Sequence, residues 1–404
     1  MTLSEMVFLP YGRQQIEDDD IAAVVDVLRS EFLTTGPALA AFEAALCRAT
    51  AARHAVACTN GTAALHLAAL AFGLGPGDIA VVPSVTFLST ANAVRLTGAE
   101  VVFADCDPDS GLMEAQHFTE ALARAEGPVK AVFPVHMAGQ CGDLEAIRDV
   151  ADRHGIAVID DAAHAIGSRY RLRDGETSPI GDGRLCRMTT FSFHPVKTIA
   201  MGEGGAVTTN DDALAARLRH LRSHGMTRDF AEMSQNDMAY DDEGRQNPWY
   251  YEMPEVGLNY RVTDIQCALG HSQLKKLDRF VARRRALAAR YDSQLEGLSP
   301  LLQPLAQSQH CKAAWHLYAI LIDFNAAGIS RAAFMNRLKE DGIGTQVHYI
   351  PVHRQPYYQR RYGETALPGS ERYYARTLSL PLFAGMADED VDRVVAALKR
   401  HLGV

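Results

Sequence analysis

The run Thr189–Asn210, TTFSFHPVKTIAMGEGGAVTTN, contains a single amine side chain, Lys197, two residues after Pro195. A lysine desolvated among apolar, hydroxyl and glycine residues has a lowered pKa and can attack a carbonyl as a Schiff-base nucleophile. Taken alone, a solvated lysine after a turn is the commoner reading. Asp160 and Asp161 close the apolar run IAVI and precede Ala162, Ala163 and His164. A buried aspartate needs a cationic or protonated partner. One of the pair is therefore expected to cap a helix or face solvent while the other enters a site. Asn60-Gly61-Thr62 stands between an apolar run and the helical pattern AALHLAALAFGL. A glycine and hydroxyls at such a junction expose backbone N–H groups at the positive end of a helix, a seat for phosphate. A plain helix cap is the commoner alternative. Phe87, also at a strand end, is by type more often core than a stacking plate.

These residues need a frame that brings them together. Short apolar runs alternate with amphipathic stretches. The predicted strands are His54–Cys58, Ile79–Val82, Val101–Ala104, Val129–Val135, Ile156–Ile159, Met188–Phe193 and Ala206–Thr209. Helical spacing fills the gaps, for example Phe87–Leu96, His117–Ala125 and Asp143–His154. The pattern predicts an α/β fold with an open, mostly parallel sheet and helices on both faces. Ligands in such sheets bind beyond the carboxyl ends of the strands. That rule selects Asn60-Gly61-Thr62, Thr86-Phe87, His136, Asp160-Asp161 with His164, and Ser192 to Lys197.

Asp229–Trp249 is polar and reads as a long surface loop. A turn at Gly257 and one long helical segment, to about residue 295, follow. The C-terminal part changes texture. HLYAILIDF (His316–Phe324) alternates like a strand, Ser330 caps a helix to Asp341, Gly344–Tyr349 reads as a further strand, and Asp388–His401 as the last helix. The expectation is a large domain over 16–285 and a smaller α+β domain over 286–404, with residues 1–15 packing against the latter.

The 404 residues are 47% hydrophobic and 22% charged, which suits a globular chain with a large core. The net charge of −9 has no concentrated basic stripe, arguing against nucleic acid as a partner. Seven cysteines without a CxxC pair argue against a disulfide framework or a zinc ribbon, so no metal is expected and a cytoplasmic setting fits. No signal peptide or membrane-length apolar run is evident.

Five segments occur in a telling order: Asn60-Gly61-Thr62-Ala63-Ala64-Leu65, Asp160-Asp161-Ala162-Ala163-His164-Ala165, Ser192-Phe193-His194-Pro195-Val196-Lys197, Gly202-Glu203-Gly204-Gly205 and Gly257-Leu258-Asn259-Tyr260-Arg261. With them the chain resembles the DegT/StrS family of pyridoxal-phosphate-dependent nucleotide-sugar aminotransferases, of fold type I. The resemblance spans nearly the whole chain, from Pro10-Tyr11-Gly12-Arg13 to Leu378-Ser379-Leu380-Pro381-Leu382. It is strongest toward the branch that makes a 4-amino sugar for pseudaminic acid. Departures are Asp160, where many relatives carry glutamate, His164, where many carry glutamine, and the length of Asp229–Trp249.

The resemblance implies roles. Lys197 would carry the cofactor as a Schiff base and move protons. Asp161 would pair with the pyridinium nitrogen, Phe87 would stack on the ring, and His164 would contact the ring hydroxyl. Gly61, Thr62, Ala63 and Ser192 would hold the phosphate, with Asn259 reaching it from the second subunit of a homodimer. Tyr11, Thr35, His194, His348 and Tyr349 are implied on the substrate side. The substrates implied are L-glutamate and a UDP-linked 4-keto-6-deoxy-N-acetylhexosamine. Alternatives are an aminotransferase for another nucleotide keto-sugar, of GDP-perosamine or UDP-4-keto-pentose type, or a cofactor-binding regulator without turnover. Retention of Lys197 argues against the regulator.

Overall fold

A computed structural model describes residues 7–404. Its central sheet uses β1 (His54–Cys58), β2 (Ile79–Pro83), β3 (Glu100–Ala104), β4 (Val129–Val132) and β5 (Ala157–Asp161). After a small hairpin of β6 (Arg169–Arg171) and β7 (Thr177–Pro179) come β8 (Met188–Ser192) and β9 (Gly205–Thr209). The spatial order is β1-β9-β8-β5-β4-β2-β3, with β9 antiparallel to both its neighbours and the other pairings parallel. The carboxyl ends of β1, β2, β5 and β8 therefore lie along one edge.

The strands are apolar on both faces because both are covered. Ala80 and Val82 join the apolar cluster of helices Gly61–Phe72 and Leu88–Leu96. Val81, between them, joins the opposite cluster with Phe118, Ile147 and Val150. The same alternation sends Val56 and Cys58 one way, and Ala55 and Ala57 toward Phe42 and Leu46 on the other.

Beyond the sheet, β10 (Leu302–Pro304), β12 (Tyr318–Ile322) and β13 (Thr377–Leu380) form a small antiparallel sheet, while β11 (Cys311–Lys312) pairs with β6. The small sheet packs with helices Arg331–Glu340 and Asp388–Leu402 in a second core. Leu9 joins that core, donating to the Gly342 carbonyl and accepting from the Gly344 N–H, both at 2.8 Å. The part of the N-terminal expectation that falls on residues 1–6 lies outside the described residues.

Three expectations need correction. The segment read as one long helix is two, Asp264–Leu274 and Leu277–Leu295, interrupted at Lys275–Lys276. The run Gly344–Tyr349 is no strand. Its ladder is a single bridge, Gln346 to Ser379, and side-chain bonds hold the rest: His348 Nδ1 to Ser379 Oγ at 2.8 Å and Tyr349 Oη to His164 Nε2 at 3.0 Å. β4 stops at Val132, short of the predicted Val135. Among the described residues, no helix is long and apolar enough to cross a membrane.

Candidate active site

At the shared carboxyl edge lies a cavity of about 620 Å³, walled by the strand ends and by the segment Gln346–Ile350. β1 delivers Asn60, Gly61 and Thr62, and β2 delivers Thr86 and Phe87. β5 delivers Asp161 and His164, and β8 delivers Ser192, His194 and Lys197. Tyr11, His348 and Tyr349 close it from the second core's side. The strand-end rule thus gathers residues from Asn60 to Lys197, and Tyr11, His348 and Tyr349 join them from outside the sheet.

The phosphate seat is built locally. Asn60 caps helix Gly61–Phe72, its side chain accepting from the Ala63 N–H at 2.8 Å. Capping and anion binding coexist, because the cap uses one first-turn donor and leaves those of Gly61 and Thr62 to point into the cavity. Thr62 Oγ1 and Ser89 Oγ lie 2.7 Å apart. Gly61 must be glycine: a Cβ there would meet Ser192 Cβ at 2.7 Å and Oγ at 3.0 Å. Gly205 is constrained likewise by the Asn60 carbonyl.

Asp161 is 5% exposed. One carboxylate oxygen accepts from Thr90 Oγ1 at 2.7 Å and the other from the Ala163 N–H at 3.1 Å. Burial raises its pKa, and the Thr90 hydroxyl, the Ala163 amide and the charge of Lys197 only partly offset that. Its direct donors are neutral, so a cation brought against it would gain strongly. Lys197 sits in the wall with its amine desolvated, which lowers its pKa to about 8 although Asp161 pulls the other way. Its N–H donates to the His194 carbonyl at 2.8 Å, closing the turn that aims it.

A wall of neutral imidazoles faces them. Burial, then the Lys197 charge, holds His164 well below the ordinary histidine value and His348 down at about 3. His316 is lowered by the same two causes, and its ring centroid lies 4.3 Å from that of His164. Burial, with Asp161 next, pushes the Tyr349 hydroxyl up, so it stays protonated in its 3.0 Å hydrogen bond with His164 Nε2. Phe87 is 55% exposed, its ring centroid 5.9 Å from that of Tyr349. It is therefore not a core residue.

Several expected residues are not brought to the cavity. The Ala63 N–H is committed to Asn60, which removes it as a phosphate donor. Thr35 lies away from the cavity in an exposed turn with φ +56°, beside the bridge from Thr34 to Thr263. Asn259 is exposed and outside this chain's own cavity, bridged to Ser223. His136 is buried behind β5, with Nε2 3.5 Å from Asp160 Oδ2. Asp160 is itself buried, so it neither caps a helix nor faces solvent. Sequence reasoning missed His316, Glu203, Gln346 and Gln355 in the lining, and Thr90 behind Asp161. His316 was legible only as the start of a strand; a polar residue opening an otherwise apolar run was the available signal.

The donor set fits a phosphorylated pyridine aldehyde: helix-end N–H groups and hydroxyls for phosphate, a carboxylate lacking a cation for a protonated ring nitrogen, a desolvated amine for the carbonyl. Among the described residues no cluster of metal-ligating side chains occurs.

Comparison with known proteins agrees. Residues 14–399 match the DegT/DnrJ/EryC1/StrS aminotransferase family. The chain is 40% identical to the spore coat polysaccharide biosynthesis protein SpsC of Bacillus subtilis (strain 168) over 97% of this chain and 96% of that one. It is similar in structure to Helicobacter pylori PseC, an aminotransferase involved in the biosynthesis of pseudoaminic acid, with TM-score 0.86, 28% identity, and 98% and 99% of the two chains covered. The aminotransferase TlmJ of Streptoalloteichus hindustanus matches with TM-score 0.85 and 30% identity over 98% and 99%. The chain belongs to the DegT/DnrJ/EryC1/StrS aminotransferase family and is a pyridoxal-phosphate-dependent sugar aminotransferase.

Proposed function

We propose that this enzyme moves an amino group from L-glutamate to the C4 keto group of a UDP-linked 4-keto-6-deoxy-N-acetylhexosamine, giving a 4-amino sugar nucleotide. The observation that carries the reading is the cavity in which Lys197, Asp161 and the Gly61-Thr62 helix end converge, in a chain similar over its length to PseC. Pyridoxal phosphate, when bound, supplies a carbonyl that takes up the amino group and a ring that delocalises the electron pair freed at the substrate carbon.

In this reading the protein's residues do the rest. The Lys197 amine, neutral above about pH 8, holds the cofactor and then carries the proton between substrate and cofactor carbons. Asp161 keeps the ring nitrogen protonated. Phe87 stacks on the ring, His164 contacts the ring hydroxyl, and Ser192, Gly61 and Thr62 take the phosphate. Tyr11, His194, His348 and Tyr349 border the sugar. The neutral imidazoles present no positive charge that would compete with a protonated ring nitrogen for the Asp161 carboxylate.

Asn259 acts in the partner's site of a homodimer. One feature supports this: Asn259 is exposed and outside this chain's own cavity. Residues 16–285 are the cofactor-binding domain, and 286–404 with the N-terminal segment the smaller one.

The 40% identity to a spore coat polysaccharide biosynthesis protein favours a second reading, an acceptor that is another nucleotide keto-sugar, of GDP-perosamine or UDP-4-keto-pentose type. Product analysis discriminates. The purified protein, given glutamate, shifts its visible absorbance to that of the amine form. Given the UDP-linked keto-sugar, it returns and yields the 4-amino product. Return with a differently linked 4-keto sugar, and none with the UDP form, overturns the first reading in favour of the second.

A further inference from the structure

Behind the histidine wall lies a second cavity of about 180 Å³, lined by Gln140, Arg285, Cys311, Lys312 and Trp315 among others. Two backbone segments run side by side at its base. The Ser308 N–H donates to Gln140 Oε1 at 3.0 Å and Gln140 Nε2 donates to the Ala306 carbonyl at 3.3 Å. This alignment crosses two thiols. Cys141 Sγ lies 3.7 Å from the His310 carbonyl, and Cys311 Sγ lies 3.8 Å from the Gly139 carbonyl. Each sulfur thus lies against the backbone segment that carries the other.

The two sulfurs differ in the way an attacking and a resolving thiol differ. The neighbouring Cys141 holds Cys311 below the ordinary thiol value against burial, with His136 and Arg285 adding to it. Cys141 is pushed up by the neighbouring Cys311 and by burial. Burial opposes a charge on His136, but the Asp160 carboxylate, 3.5 Å away, outweighs it and raises the His136 pKa. Cys311 opens to the cavity while Cys141 is fully buried. Cys47, the other partly exposed cysteine, is raised by burial and by Glu43, and bonds to the Arg53 carbonyl.

We propose that Cys311 and Cys141 form a reversible disulfide when the enzyme meets a peroxide. The Cys311 thiolate attacks one peroxide oxygen, the O–O bond breaks, and hydroxide leaves and is protonated to water. The Cys141 sulfur then attacks the resulting sulfenic sulfur, its proton departing with the hydroxyl as a second water. Each sulfur gives up one electron and the peroxide takes both. The bond staples the Gln140–Cys141 segment to β11. It sits two residues from Gly139, where a Cβ would meet the His164 carbonyl at 3.0 Å and the His316 N–H nitrogen at 3.2 Å.

The test treats the holoenzyme with hydrogen peroxide and counts thiols after denaturation. The seven free cysteines fall to five, peptide mapping finds Cys141 joined to Cys311, and dithiothreitol restores seven. Cys141→Ser and Cys311→Ser, each checked for bound cofactor absorbance, form no such disulfide. All seven thiols retained, a disulfide between other cysteines, or the same loss of two thiols in both serine variants overturns the proposal.

Discussion

Asp160 and Asp161 are neighbours in sequence and work on opposite sides of β5. Strand pleating sends Asp161 to the cavity and Asp160 to the back. Both are buried. Asp161 is answered by neutral donors, a hydroxyl and an amide, so its charge is left for a cation that arrives. Asp160 faces the buried His136 imidazole, with Nε2 3.5 Å from Oδ2, and raises its pKa. The difference teaches where a ligand can be recognised. A buried charge already balanced by the fold has nothing left to offer, whereas one held by dipoles alone is a binding site.

Lys197→Ala removes the group that Asp161's side of the strand serves. Turnover falls by at least roughly 10²–10⁴-fold with the fold intact by circular dichroism, because a positioned acid/base is worth about that much. Asp161→Asn keeps the size and hydrogen bonds but removes the charge; kcat falls by about 10²-fold or more in steady-state assays. Asp160→Asn inverts the pattern. It leaves a buried imidazole short of its counter-charge, so urea unfolding shows a loss of about 3 kcal/mol while the rate changes far less. Equal rate losses in the two asparagine variants would break the comparison.

A pH series sharpens it. Desolvation has lowered Lys197 to about 8, so the apoenzyme's amine is protonated below that and neutral above. Its rate of recombination with pyridoxal phosphate should climb about tenfold per pH unit and level off near pH 8; a solvated lysine would go on climbing toward about 10.4. The smallest effect is expected from Tyr349→Phe. It deletes the hydroxyl bonded to His164 Nε2, a bond worth about 1 kcal/mol, and lowers kcat/KM about fivefold.

The alternation of strands and helices was legible because strands covered on both faces carry apolar runs, as Ala55–Cys58 of β1, Ile79–Pro83 of β2 and Ala157–Ile159 of β5 do. Lys197, Asp161 and Gly61-Thr62 were legible because polar residues at the ends of such strands have few other uses. Gly344–Tyr349 misled because Val347, Tyr349 and Ile350 have strand-like types, while the backbone pairing that makes a strand depends on a neighbour that ends at Leu380. His316 and Thr90 were missed because each contributes through a residue far away in the chain, His164 and Asp161.

Residue types and chain order by themselves determined the layered α/β frame, the family resemblance and the identity of the amine, the carboxylate and the phosphate seat. These rest on local chemistry: periodicity, capping and the scarcity of charge in apolar runs. Only the tertiary structure decided that Asp160 turns to the buried His136 behind β5, and that Cys141 and Cys311 each lie against the backbone that carries the other. Those depend on strand phase and on segments about 170 residues apart meeting in space, which no local pattern encodes.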